Sequence, residues 1–254
     1  MRMKDILVTL SGLTLSCRLR FPEAAKYFNN PDPGAPCVGT GFVCLSEEDW
    51  SYYIAEGAEE NAHSEYSLLC FNFSDALLPF DRVLIHGVAI SWRGKAYLIC
   101  GRSGVGKSTQ ARFLQELRPG EFSVICGDRP VLEFRKGKPT MEDPLQSSFY
   151  QEEDTIVVHP SPWNGKENWF GEKAAPLAGI ILLERGQKNA LVSLTEREAA
   201  LLIYPQFIHS GCDAAKIQRV SELETKMLRS VPVWKLITHD VPDSTKLLLE
   251  SVFQ

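Results

Sequence analysis

Residues 101–108, Gly-Arg-Ser-Gly-Val-Gly-Lys-Ser, match G-x-x-x-x-G-K-[ST] in full, between an apolar run ending in YLIC and a segment of helical spacing over 107–117. Glycines at these positions let backbone amides turn inward around an anion without Cβ collisions. The helix that follows brings its positive end to the same point. Strand, glycine loop and helix in this order call for an α/β core, and the residue types call for a phosphate ligand. Lys107 is expected to reach the β- and γ-phosphates, and Ser108 to offer its hydroxyl to Mg²⁺. Gly101, Arg102, Ser103, Gly104, Val105 and Gly106, with Thr109 at the helix start, complete the expected nucleotide-binding set; ATP and Mg²⁺ are the expected ligands.

The rest of the chain can be read around this nucleus. Residues 6–19 alternate apolar and polar about Gly12 and read as two short strands, followed by a Pro/Gly/Asn-rich loop over 29–41. Glu47, Glu48 and Asp49 open a segment of helical character that continues through 65–78, where Tyr66, Leu69, Phe73 and Leu77 share a face. Strands are expected at 83–90, 95–100 (after a turn at Arg93-Gly94), 122–126, 131–134, 178–183 and 232–238, and helices at 196–202, 216–229 and 244–253. The expected division is a small β-rich N-terminal module with a connecting helix over 1–78 and an α/β domain over 79–254.

Composition removes other classes. With 27 Lys and Arg against 32 Asp and Glu, the net charge of −5 gives no global positive field for nucleic acid or an anionic membrane. The longest apolar stretches fall well short of the roughly 20 residues that span a bilayer, and no cleavable signal is visible, so the cytoplasm is the expected address. Seven cysteines without a C-x-x-C pair suggest neither a disulfide framework nor structural zinc. Cys100 and Cys126, inside apolar runs, read as small hydrophobes.

A glycine loop fixes neither nucleotide nor reaction. The guanine-reading tetrapeptide N-K-x-D is absent from the sequence, and two acids compete to serve the metal. Asp128 ends Val-Ile-Cys-Gly-Asp, about 20 residues beyond the loop; on local grounds it is also a plain turn aspartate before Arg129-Pro130. Glu184 ends Gly-Ile-Ile-Leu-Leu-Glu, and its bland account is a surface pair with Arg185. Lys166, between Trp163 and Trp169, is either an exposed loop lysine or a cation beside an aromatic wall. Arg185 is either Glu184's partner or a γ-phosphoryl clamp. His159, before Pro160 in the same loop as Lys166, is either near the site or a plain loop histidine.

The stretch HGVAISWRGKAYLICGRSGVGKSTQARFLQEL, followed by VICGDRPVLEF, resembles the catalytic domain of HPr serine kinases and the shorter bacterial HPr-kinase-like proteins. The pattern covers about residues 79–134, with looser similarity through 161–167 and 176–186. It implies a phosphoenolpyruvate-carboxykinase-like α/β core in which Lys107 and the loop amides hold ATP phosphates, Ser108 and Asp128 approach Mg²⁺, and His86 lies near the transferred phosphate. Homo-oligomers are common in that family. The chain departs from the pattern at Gly127, where the resembling kinases carry the first of two adjacent acids. It also lacks their HPr-binding signature, so a serine hydroxyl on a peptide or small protein, rather than HPr, is the implied acceptor.

The resulting expectation is a Mg²⁺-ATP-dependent hydroxyl kinase using Asp128, His86 and Lys107, with Lys166 and Arg185 completing an electrostatic clamp. Two alternatives stand beside it: a non-catalytic ATP-binding module, favoured by Gly127, and an ordinary ATPase using Glu184.

Overall fold

The computed structural model describes residues 3–28, 36–39, 41–137, 139–140, 150–151, 154–171, 173–211 and 213–254; most of the 29–41 loop reading, and Cys212, lie outside them. β1 (Lys4–Leu10) and β2 (Leu13–Leu19) pair antiparallel about Ser11 and Gly12, whose φ values of 45° and 80° give the left-handed turn that a twisted hairpin needs. The helical stretch that follows is two helices. α1 (Glu47–Ala55) starts at a reciprocal cap, with the Asp49 amide donating to Ser46 Oγ and the Ser46 amide to Asp49 Oδ2. It ends beside Gly57, at φ 94°, and α2 (Ala62–Leu77) restarts on Asn61, whose side chain accepts from the His63 and Ser64 amides. Leu69, Phe73 and Leu77 of α2 are fully buried, as the spacing required.

The run expected as one strand over 83–90 is broken at His86 into β3 (Arg82–Ile85) and β4 (Gly87–Trp92). The cause is distant in sequence: the His86 amide donates to Gln206 O and the Gly87 amide to Asp128 O, both at 2.7 Å. β4 turns through Arg93 and Gly94, both at positive φ, into β5 (Lys95–Cys100), and α3 (Lys107–Leu117) follows. Next come β6 (Phe122–Cys126), β7 (Val131–Arg135), β8 (Pro139–Thr140), β9 (Tyr150–Gln151), β10 (Thr155–His159), β11 (Ala175–Arg185) and β12 (Ala190–Ser193). The chain closes with α4 (Glu196–Ile203), β13 (Phe207–Ile208), α5 (Ala214–Ser230), β14 (Val233–Thr238) and α6 (Val241–Ser251).

β11 organises a ten-stranded mixed sheet. It lies parallel to β5 on one side and β14 on the other, and β4 and β6 extend the β5 side; its first residues pair antiparallel with β10, which leads through β7 and β3 to β13. Strand alternation divides the core into layers. Ile181, Leu183, Val88 and Ile99 pack with Ala111, Leu114 and Leu248 of α3 and α6. Their neighbours Ile180, Leu182, Ala89 and Leu98 face Ala199 and Ile203 of α4 and Val220, Leu223 and Met227 of α5. On the far side of β3 and β7, Leu84 and Val131 share a core with β1, β2 and α2, so residues on both sides of position 79 meet there. The architecture is mixed α/β, and no helix among the described residues is long and apolar enough to cross a membrane.

Candidate functional site

The glycine loop connects the C-terminal end of β5 to the N-terminus of α3. Gly101, Gly104 and Gly106 hold φ values of 142°, 76° and 111°, where a side chain would be strained. A Cβ at 101 would also come within 2.6 Å of Leu183 O, so this turn is pressed against β11. Lys107 is nearly buried, and its Nζ donates to Gly101 O (3.0 Å) and Arg102 O (3.3 Å). Burial holds its pKa below the usual lysine value, opposed by Cys100 and Asp128. A desolvated ammonium held by two loop carbonyls at the N-terminus of α3 has the chemistry to take an anion.

In front of the loop lies a cleft of about 720 Å³ lined by Lys107, Ser108, Thr109, His86, Asp128 and Lys166. Residues from the β3–β4 break, the loop, the β6–β7 turn and the 161–170 segment thus meet at one place. His86 Nε2 is 3.5 Å from Asp128 Oδ1, and Arg129 Nε is 3.3 Å from Asp128 Oδ2. Burial pushes the His86 pKa below its ordinary value; the Lys107 and Arg129 cations add to this, while Asp128 and Gln206 oppose it. These surroundings favour the neutral imidazole over the imidazolium. No group of three or more His, Cys, Asp or Glu side chains able to hold a metal occurs among the described residues. Asp128 and Ser108, the residues expected to serve a metal, both line this cleft.

Gly127 explains the missing second acid. Its amide donates to Trp169 O at 2.9 Å, and a Cβ at this position would overlap the Asn164 carbonyl. No side chain fits there without moving the 161–170 segment.

The remaining candidates separate. Lys166 lines the cleft, but the aromatic wall expected around it does not form: Trp163 is buried in the α2 core with Nε1 donating to Tyr66 O, and Trp169 lies against Arg112. Glu184 faces a different cavity, behind the loop, and its cation is Lys235 at 3.6 Å rather than Arg185. Arg185 lines that rear cavity and places Nη2 3.1 Å from where a Cβ of Gly106 would sit. His159 pairs with Glu133 at 2.8 Å in an ion cluster with Arg82 and Arg135, and does not line the cleft.

Sequence reasoning missed Arg129 and Gln206. Arg129 stands next to Asp128, and that adjacency was its available signal. Its Nη1 donates to Ser67 O at 2.9 Å, tying the acidic turn to α2. Gln206 reaches the cleft from 78 residues beyond Asp128 and carries no local signal.

No family model matches the chain, and no curated protein matches it. Among solved structures, the HPr(Ser) kinase/phosphatase from Coxiella burnetii is similar over 66% of this chain and 93% of that one, at 11% sequence identity and a TM-score of 0.32. A likeness of that size assigns neither fold family nor activity.

Proposed function

We propose that this chain is a Mg²⁺-ATP-dependent kinase that transfers the γ-phosphoryl group to a hydroxyl, with serine on a peptide or small protein as the acceptor class. The observation that carries the reading is the meeting of Lys107 and Ser108 with the His86–Asp128 pair in one cleft. On this reading the loop amides and Lys107 hold the phosphates, and Lys166 adds positive charge at the cleft mouth. Ser108 and Asp128 would hold Mg²⁺, which when bound neutralises charge on the phosphate oxygens. The acceptor oxygen bonds to the γ-phosphorus as the bond to the β–γ bridging oxygen breaks, releasing ADP, and the hydroxyl proton passes to the His86–Asp128 pair. That pair takes the place of the acid excluded at Gly127. Proton removal of this kind contributes less than positioning and charge neutralisation.

A second reading, an ATP-binding module without rapid transfer, is favoured by the same Gly127. Mg²⁺-ATP affinity and turnover in Asp128→Asn and Lys107→Ala test the assignment. If Asp128→Asn leaves both intact the acidic turn is not the site, and if Lys107→Ala keeps full affinity the loop does not hold phosphate.

A further inference from the structure

The glycine loop has two sides. Behind it, a cavity of about 750 Å³ is walled by loop residues 101–105, by Glu184 and Arg185 at the end of β11, by Lys235 of β14, and by Leu201 and Leu202 of α4. It adjoins the His86–Asp128 cleft, with Ser103, Gly104, Pro205 and Gln206 lining both. Leu201 and Leu202 belong to no core layer and stand 78% and 41% exposed, leaving an apolar shelf at its rim. Glu184 brings a solvent-accessible carboxylate whose cation partner is Lys235. Arg185 places its guanidinium against Gly106.

We propose that this rear cavity receives the nucleoside end of the nucleotide, with the base on the Leu201–Leu202 shelf and the ribose hydroxyls donating to Glu184. The inference rests on the reading that the loop holds the phosphates. If the γ-phosphoryl group faces His86 and Asp128, the rest of the molecule runs along the loop, and the rear cavity is the neighbouring space on the other side of Ser103 and Gly104. Each part of the ligand then meets matching chemistry: an apolar face for the base, a strand-end carboxylate for the ribose, and a cation near the phosphates. A carboxylate at the end of a strand is also how dinucleotide-binding sheets hold a ribose hydroxyl. Glu184 becomes a binding residue rather than the metal carboxylate of an ATPase.

The test is calorimetric titration of the full chain, with Mg²⁺ present, using ATP, 2′,3′-dideoxy-ATP and inorganic tripolyphosphate. Leu201→Asn should weaken ATP binding by about tenfold and leave tripolyphosphate unchanged. Ile54→Asn, at an exposed apolar position on α1 close to Leu202 in exposure, should change neither. Glu184→Ala should abolish the wild-type preference for ATP over the dideoxy nucleotide. Leu201 is mostly solvent-exposed, so its variant keeps the fold, and Leu202→Asn provides a second probe of the shelf. ATP affinity that survives both leucine variants, or falls equally with that of tripolyphosphate, overturns the subsite while leaving the phosphate site standing. Wild-type protein that binds neither ATP nor tripolyphosphate overturns the kinase reading itself.

Discussion

Gly127 packs so closely on Asn164 that a Cβ at position 127 would overlap the Asn164 carbonyl oxygen and press on Trp169 Cβ at 3.0 Å. The contact joins the acidic turn after β6 to the segment carrying Lys166, so the position that resembling kinases give to an acid serves here as a packing joint. Gly127→Asp should therefore fail to add a base. It should destabilise the fold by about 3 kcal/mol, the upper range for forcing atoms into a filled site, and urea unfolding measures that cost. A variant as stable as wild type and faster in turnover would show that the turn has room for the acid.

His86 and Asp128 face each other across 3.5 Å at the cleft. If they accept the hydroxyl proton together, His86→Asn should lower turnover by about 10²–10⁴-fold while leaving ATP affinity within about threefold. A rise in Kd with kcat unchanged would instead make His86 a binding residue.

Glu224 on α5 is 6% exposed, and its Oε1 has no hydrogen-bond partner among the described residues. Burial pushes its pKa up to about 7. Between the ordinary glutamate value and 7 the folded chain keeps a proton that the unfolded chain has released. Stability therefore falls as pH rises through that window, by about 3 kcal/mol at most, and stays lower above it. Glu224→Gln should match wild type near pH 4.5 and exceed it at pH 8 in urea midpoint. Equal midpoints at pH 8 would show that the carboxylate is solvated.

What the sequence made legible was local. The glycine loop could be read because its duties are carried by eight consecutive residues, and α2 because its apolar positions recur every three or four residues. The break at His86 could not be read, since it is made by carbonyls of Asp128 and Gln206 from distant parts of the chain. The reason for Gly127 lies in Asn164, and the tether of Asp128 to α2 runs through Arg129 to a main-chain oxygen, which has no residue identity to detect. Trp163 and Trp169 looked alike flanking Lys166, and only packing separates the buried core ring from the half-buried one.

The most direct test of the central claim follows the γ-phosphate of ATP by phosphorus NMR, with the protein, Mg²⁺ and a desalted peptide and protein extract from its native cell. The account predicts a new phosphoester resonance that is absent with Lys107→Ala and strongly reduced with Asp128→Asn. Inorganic phosphate alone, or ATP left unchanged beside an extract containing the full complement of serine-bearing peptides, would contradict it.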